Sequence, residues 1–269
     1  MKPGINSNFE INRPLWKKTI KSFFNLFGLE VLRTNNFLQR RENLIVELDD
    51  DLYSKKLIEK VNPYINSATI PIRWSLIQIM KYIDQKKIEG DLLECGVFRG
   101  GSLAMICLLA EKYNMKKKIY AYDTFGTGHS IYTDYDKNMK TMSSDIDKDY
   151  SKLQEGFFPS LEDVKNNLIN LNVVENYMPI FIKGKVEDTL YDESNLPAKI
   201  ALARIDTDLY DSTKHELEVY YPRIVSGGIL HINDYGGCAG VKKAVDEYFA
   251  DKNVWMHRID YTCRLIIKD

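Results

Sequence analysis

The sequence predicts an α/β fold built on a doubly wound, mostly parallel sheet. From about residue 67 onward, short apolar segments of strand length alternate with longer segments of helical periodicity. Most of the predicted strands also end in a glycine or an acidic residue. Alternation of this kind requires crossover connections, which place helices on both faces of a parallel sheet. The 269 residues are 44% hydrophobic and 12% aromatic, which is enough for a sizeable core and unlike a disordered chain.

Residues 1–66 are expected to form an N-terminal helical extension. Five apolar residues fall on one stripe of a helix: Trp16, Ile20, Phe23, Phe24 and Phe27. The flank of this apolar stripe is basic and carries Lys17, Lys18 and Lys21. The stripe could pack on the chain's own core or on a second subunit, and it could also lie on an anionic membrane surface. We expect a homo-oligomer, with peripheral membrane contact through this helix as the other interpretation.

Residues 67–269 are expected to form the main domain. A helix around Trp74–Tyr82 is predicted to come first. The elements predicted after it are strand 91–97, helix 102–113, strand 118–123, helix 161–171, strand 180–183, strand 200–206, helix 212–221, strand 228–234, helix 241–249 and strand 265–267. Residues 126–160 are polar and lack periodicity. Because a loop that long in a compact domain usually covers a site or is disordered, we predict a lid insertion there.

Charge and cysteine content exclude several classes of protein. Lys and Arg number 37 against 38 Asp and Glu, so the chain has no global positive field to gather nucleic acid. No apolar run approaches the roughly 18–20 residues of a membrane-spanning helix. The four cysteines are far apart and show no metal-pair spacing. We therefore expect a cytoplasmic enzyme or binding protein without a nucleic-acid partner.

The predicted ends of the first two strands favour a nucleoside ligand, because ligands of open parallel sheets collect at the carboxyl ends of the strands. Gly96, Gly100 and Gly101 follow the first strand with the spacing G-x-x-x-G-G, not the G-x-G-x-x-G that cradles a dinucleotide pyrophosphate. Asp123 ends the second strand, where its carboxylate can accept two hydrogen bonds from ribose hydroxyls. Ribose binding without a pyrophosphate cradle favours S-adenosylmethionine over NAD. The alternative for the glycines is tight packing of strand and helix.

Two later strand ends offer oxygen ligands for a metal ion. Asp206, Asn233 and Asp234 provide two carboxylates and an amide oxygen, a set that suits Mg²⁺ or Ca²⁺ and not zinc. The two aspartates could equally cap the helices that follow. His231 lies on the strand itself, so we expect a packed side chain there and not a ligand.

Seven blocks of the sequence resemble the macrocin O-methyltransferase family. In chain order they are Glu94–Ser102, Tyr122–Phe125, Gly184–Thr189, Arg204–Leu217, Asn233–Gly236, Ala244–Phe249 and Arg258–Thr262. The resemblance covers about Ser67 to Arg264. It implies a class I, Rossmann-like methyltransferase fold and a magnesium-dependent methyl transfer from S-adenosylmethionine to a sugar hydroxyl of a glycan precursor or glycosylated natural product. Asn233 stands where the family usually has an aspartate, and residues 126–160, which in the family help cover the acceptor, match weakly.

Site residues follow from the resemblance together with the strand ends. Those expected to bind the cofactor are Thr69, Glu94, Gly96, Arg99, Ser102, Asp123, Thr124, Glu187, Asp188 and Asp206. Those expected to bind Mg²⁺ are Asp206, Asn233 and Asp234. A sugar hydroxyl has a pKa far above 7, so a general base is needed as well. Asp208 is the candidate, although Asp206 could serve as both ligand and base.

Two other function classes remain open at this point. One is a NAD-dependent sugar-modifying enzyme, which the glycine spacing disfavours. The other is a catalytically inactive, membrane-associated scaffold with the same fold, which the acidic residues at the strand ends disfavour.

Overall fold

A computed structural model describes residues 52–65, 69–126, 133–136 and 158–269. The chain divides into two compact units, Met1–Arg41 and Glu42–Asp269, and every described residue belongs to the second. The predicted amphipathic stripe Trp16–Phe27 and most of the predicted lid at 126–160 therefore lie outside the described residues. Among the helices that are described, none is long and apolar enough to cross a membrane.

One sheet of seven strands organises the described part of the chain. The strands are β1 Asp91–Cys95, β2 Ile119–Asp123, β3 Ile180–Lys183, β4 Ile200–Ile205, β5 Ile224–Ile232, β6 His257–Arg258 and β7 Arg264–Ile267. Their order is β3-β2-β1-β4-β5-β7-β6, with β1 to β5 parallel and β7 antiparallel to both β5 and β6. The chain runs outward from β1 to β3 and then returns to β4, so a topological switch point lies between β1 and β4. The predicted doubly wound, mostly parallel sheet is confirmed.

Helices cover both faces of this sheet. They are α1 Leu52–Val61, α2 Ile70–Lys86, α3 Gly101–Lys112, α4 Leu161–Asn170, α5 Val186–Thr189, α6 Tyr210–Arg223 and α7 Ala239–Phe249. Side chains of α1 to α4 share one core cluster with Leu92 of β1, and side chains of α5 to α7 share the other with Leu93. Successive strand residues point to opposite faces, which is why adjacent leucines enter different cores. Helix α1 belongs to the predicted extension 1–66 by position, yet its buried side chains lie in the first core.

The predicted element boundaries differ from the structure by a few residues. Strand β1 ends at Cys95 because Gly96 has a left-handed φ of +81°, where the strand was predicted to continue to residue 97. Strand β4 ends one residue before Asp206, and helix α6 begins two residues before the predicted Ser212. Strand β6 has two residues, too short to show a period of two in the sequence.

Candidate functional site

The glycine-rich loop after β1 is shaped by the protein's own packing. Gly96 approaches β4 so closely that an added Cβ would overlap the carbonyl of Asp206. Gly100 precedes α3 with a φ of +83°, and an added Cβ at Gly101 would overlap Ile65. Close contacts at Gly96 and Gly101 and the left-handed φ at Gly100 favour glycine without any ligand, as the packing alternative expects. The loop still lies at the switch point between β1 and β4, where a ligand of this fold would bind.

Asp123 at the end of β2 holds the glycine-rich loop in place. Its Oδ2 accepts hydrogen bonds from the N–H groups of Val97 at 2.7 Å and Phe98 at 3.0 Å. Its Oδ1 accepts one from the N–H of Phe125 at 2.8 Å. The hydroxyl of Thr124 lies 3.5 Å from the same Oδ1, so the protein's own groups use most of the roughly four acceptor positions of this carboxylate. The expectation that Asp123 accepts hydrogen bonds from a ribose stays a prediction, and a ribose would have to share this carboxylate with the loop's own donors.

A buried ion pair connects β1 to β4 beneath the site. Glu94 and Arg204 face each other in register, and Nη1 of Arg204 lies 2.7 Å from Oε1 of Glu94 and 2.8 Å from Oδ2 of Asp206. Ser102 donates to the same Oε1 at 2.5 Å. Burial raises the pKa of Glu94 to about 7 in spite of the neighbouring guanidinium. Burial likewise raises the pKa of Asp206 to about 6, against the opposing effect of Arg204.

His231 lies next to Arg204 in register on β5 and is fully buried. Its Nε2 lies 3.1 Å from Oγ of Ser75 and 3.2 Å from Sγ of Cys263. Burial lowers the pKa of His231 to about 3, and the charge of Arg204 adds to this lowering. The imidazole is therefore neutral at neutral pH. The prediction of a packed histidine is confirmed.

Asp206, Asn233 and Asp234 meet at the ends of β4 and β5, as the sequence predicted. Nδ2 of Asn233 donates to Oδ1 of Asp206 at 2.6 Å and to Oδ2 of Asp234 at 2.7 Å. Oδ1 of Asn233 is buried and has no hydrogen-bond partner among the described residues. Rotation of this amide by 180° would exchange its nitrogen and oxygen and bring the unsatisfied oxygen to the two carboxylates, which makes a set of oxygen ligands that fits a hard divalent cation. Asp208 lies two residues beyond Asp206 with a left-handed φ of +68°.

The sequence model of the macrocin-O-methyltransferase (TylF) family matches residues 73–267. This chain belongs to the macrocin-O-methyltransferase family. It is 27% identical over 175 residues to demethyldecarbamoylnovobiocin O-methyltransferase of Streptomyces niveus, an alignment that covers 64% of this chain and 63% of the relative. It is 30% identical over 166 residues to mycinamicin III 3''-O-methyltransferase of Micromonospora griseorubida, covering 60% of this chain and 61% of the relative. The chain thus spans about three fifths of the length of these curated relatives.

A solved structure supports the same assignment of fold. The O-methyltransferase NovP superposes with a TM-score of 0.64 at 26% identity, covering 74% of this chain and 80% of NovP. The class I, Rossmann-like methyltransferase fold that the resemblance implied is confirmed.

The remaining family-derived cofactor residues are spread around the strand ends. Thr124 and Glu187 are half-buried, whereas Arg99 and Asp188 are exposed. Thr69 is 3% exposed, and its hydroxyl donates to Oδ2 of Asp260 at 2.7 Å at the start of α2. This contact commits the Thr69 hydroxyl to a structural role, and its assignment to the cofactor stays a prediction.

Arg204 and Glu216 are buried ionisable residues that the sequence arguments missed. Arg204 lies in the centre of an apolar strand, and such a residue needs a carboxylate on a neighbouring strand. That reasoning could have paired Arg204 with Glu94. Glu216 lies on α6, where Oε2 accepts from Oγ1 of Thr207 at 3.1 Å. Glutamate is ordinary in a helix, so no sequence pattern marks Glu216 as buried.

Proposed function

We propose that this protein is an S-adenosylmethionine- and Mg²⁺-dependent O-methyltransferase that acts on a sugar hydroxyl of a glycan precursor or a glycosylated natural product. The observation that carries the proposal is the meeting of Asp206, Asn233 and Asp234 beside the loop that Asp123 holds at the switch point. Family membership supports methyl transfer. Relatives named for novobiocin and mycinamicin precursors support a glycosylated acceptor.

The chain's own residues would bind and orient the cofactor at the ends of β1 to β3. S-Adenosylmethionine supplies the methyl group as a sulfonium electrophile. Asp123 would accept from the ribose hydroxyls, and Glu187 and Asp188 follow β3 on the adjoining side of the sheet. Glu94 has a positioning role. It accepts from Ser102 at the start of α3 and pairs with Arg204 of β4, so it fixes the glycine-rich loop against β4. In-line transfer then requires mainly alignment of donor and acceptor.

Asp206, Asn233 and Asp234 would hold Mg²⁺, which when bound stabilises the negative charge that develops on the acceptor oxygen. Asp208 would take the proton of the acceptor hydroxyl. We assign the proton transfer to Asp208 because Oδ2 of Asp206 is paired with the guanidinium of Arg204 at 2.8 Å, which opposes protonation of Asp206. Asp206 instead contributes a ligand whose orientation the buried Arg204 sets.

The test combines binding and turnover. Calorimetry should show binding of S-adenosylmethionine and no binding of NAD. Demethyldecarbamoylnovobiocin and a panel of nucleotide sugars would then be assayed for methylation with Mg²⁺ and with excess EDTA. We expect EDTA to abolish turnover and to leave cofactor affinity nearly unchanged. Full activity in EDTA would contradict the metal requirement. Binding of neither cofactor would favour the inactive scaffold, and binding of NAD alone would favour the sugar oxidoreductase.

The localisation, oligomeric state and partners of the protein are also proposals, and they rest on the sequence. We expect a cytoplasmic homo-oligomer with no nucleic-acid partner, in keeping with the net charge of −1. The N-terminal stripe Trp16–Phe27 would serve association with a second subunit or with an anionic membrane surface.

A further inference from the structure

Asp136 is a buried carboxylate that the proposed methyl transfer does not use. It belongs to the segment Thr133–Asp136, which lies within the predicted insertion, and it is fully buried. Its Oδ2 accepts hydrogen bonds from the N–H of Thr133 at 2.8 Å and from the hydroxyl of the same residue at 2.6 Å. The segment is thus a turn closed on its own carboxylate, and Oδ1 of Asp136 faces other parts of the domain.

The Oδ1 atom of Asp136 caps the start of helix α6. It accepts from the N–H of Tyr210, the first residue of the helix, at 2.9 Å. The N-cap position itself is taken by Leu209, whose aliphatic side chain cannot accept a hydrogen bond. A carboxylate also interacts favourably with the positive end of the helix dipole. Asp136 therefore supplies, from 74 residues away, the cap that the chain next to α6 lacks.

The same carboxylate packs against the first turn of helix α7. A Cβ added at Gly240, the second residue of α7, would overlap Oδ1 of Asp136, so this position leaves room for the carboxylate only as glycine. The neighbouring Tyr135 makes a second contact with both helices. Its ring lies 4.7 Å from that of Tyr210 on α6, and Nζ of Lys243 on α7 lies 4.6 Å from the centre of the Tyr135 ring. The segment therefore bridges α6 and α7.

These two helices follow the two loops that carry the proposed magnesium ligands and base. Helix α6 comes directly after the loop at the end of β4, and helix α7 comes directly after the loop at the end of β5. Each loop contains one aspartate with a left-handed backbone, Asp208 with a φ of +68° and Asp234 with a φ of +56°. A residue other than glycine keeps this conformation where the surrounding structure holds it. Asp136 holds the far end of both loops, because it contacts the first turn of each helix.

We propose that Asp136 is a positioning residue for the methyl transfer, which sets the two loops at the distance that Mg²⁺ binding requires. It acts through the backbone of the loops and not as a ligand. The inference rests on the proposed function, because it concerns the ligands Asp206, Asn233 and Asp234 named there. Groups that orient metal ligands commonly contribute 10–100-fold to metal affinity or activity. Because Asp136 acts through the backbone, the effect belongs at the lower end of this range.

The experiment measures the affinity of the full-length protein for Mg²⁺ and, separately, for S-adenosylmethionine by calorimetry. Asp136→Ala should weaken Mg²⁺ binding by about 10-fold and leave the affinity for S-adenosylmethionine unchanged. Gly240→Ala keeps the carboxyl group but places a methyl group where Oδ1 of Asp136 lies. It should therefore weaken Mg²⁺ binding as well, without removing any acidic residue from the protein.

Asp163 provides the matched control, because it belongs to the capping box of another helix, α4, where its Oδ2 accepts from the N–H of Ser160 at 2.9 Å. Asp163→Ala removes a helix cap and should bind Mg²⁺ like the wild type. If circular dichroism shows that Asp136→Ala is unfolded, Gly240→Ala takes its place. Wild-type affinity for Mg²⁺ in the folded variant, or an equal loss of affinity in Asp163→Ala, would overturn the inference alone. A wild type that binds S-adenosylmethionine and no Mg²⁺ would contradict the metal site of the proposed function and this inference together.

Discussion

Replacing Glu216 with glutamine should make the protein more stable at alkaline pH. Glu216 is fully buried on α6, and its Oε1 has no hydrogen-bond partner among the described residues. Burial raises its pKa to about 8, and nearby Glu187 and Asp206 add to this rise, against the hydrogen bonds of Cys95 and Thr207. Glutamine keeps the shape and the acceptor for Thr207 and removes the ionisation.

The size of the effect follows from the two pKa values. In the unfolded chain the carboxyl titrates near its ordinary 4.5, and in the folded protein near 8. The folded state therefore holds the proton more tightly than the unfolded chain. The contribution of the Glu216 carboxyl to stability is complete below pH 4.5 and is lost as the pH rises through 8. At about 1.4 kcal/mol per unit of pKa, the loss amounts to about 5 kcal/mol above pH 8. The glutamine variant does not ionise and so avoids this loss of stability, but its extra buried N–H costs about 1 kcal/mol at every pH.

Urea unfolding at pH 5 and pH 9, followed by circular dichroism, measures this difference. Between these values the free energy of unfolding of Glu216→Gln should rise by about 4 kcal/mol relative to the wild type. Glu218→Gln removes an exposed carboxylate from the same helix and should show a change below about 0.5 kcal/mol. Parallel pH dependences of wild type and Glu216→Gln would show that Glu216 is not the buried acid that the structure describes.

Four other perturbations have definite expected results. Asp123→Ala should weaken S-adenosylmethionine binding by about 1–3 kcal/mol in calorimetry, because a charged acceptor is lost, and unchanged affinity would contradict that role. Asn233→Asp should be tolerated and tighten Mg²⁺ in a calorimetric titration, since the site gains a negative charge; loss of turnover with metal still bound would instead give the amide a specific role. Asp136 is buried and accepts from the N–H of Tyr210 at 2.9 Å, so Asp136→Ala should lower the free energy of unfolding in urea by about 1–3 kcal/mol; cofactor affinity should stay the same. Deleting residues 1–30 should leave cofactor affinity unchanged and alter either the oligomeric state in light scattering or sedimentation with anionic vesicles, and a change in neither would reject both roles of the helix.

The strand ends could be predicted because they follow from periodicity alone. Apolar runs of strand length locate β1, β2, β4 and β5, and parallel order brings their carboxyl ends to one edge. Glu94, Asp123, Asp206 and Asn233 were found in this way without any knowledge of their contacts. The same reasoning could not assign the glycines, because a packing glycine and a ligand-facing glycine look alike in sequence.

Contacts between distant parts of the chain were beyond sequence reasoning. Asp136 bonds the backbone of α6 across 74 residues, and nothing local distinguishes it from other polar residues of the insertion. Asp234 turns the chain with a left-handed φ of +56°, and although aspartate adopts this conformation more often than most residues, nothing in the sequence says which aspartate does so. The occupied acceptors of Asp123 likewise depend on how its side chain meets the loop after β1 and not on its position in the sequence.

Arg204 shows how the interior of the sheet determines the chemistry at its edge. A guanidinium buried in the central strand must be paired, and the in-register Glu94 on one side pairs with its Nη1. The same Nη1 reaches the end of the strand and engages Oδ2 of Asp206, so this carboxylate cannot rotate without breaking a buried ion pair. Its Oδ1 is thereby directed toward Nδ2 of Asn233. The ion pair beneath the sheet edge thus orients the carboxylate on which the proposed metal site depends.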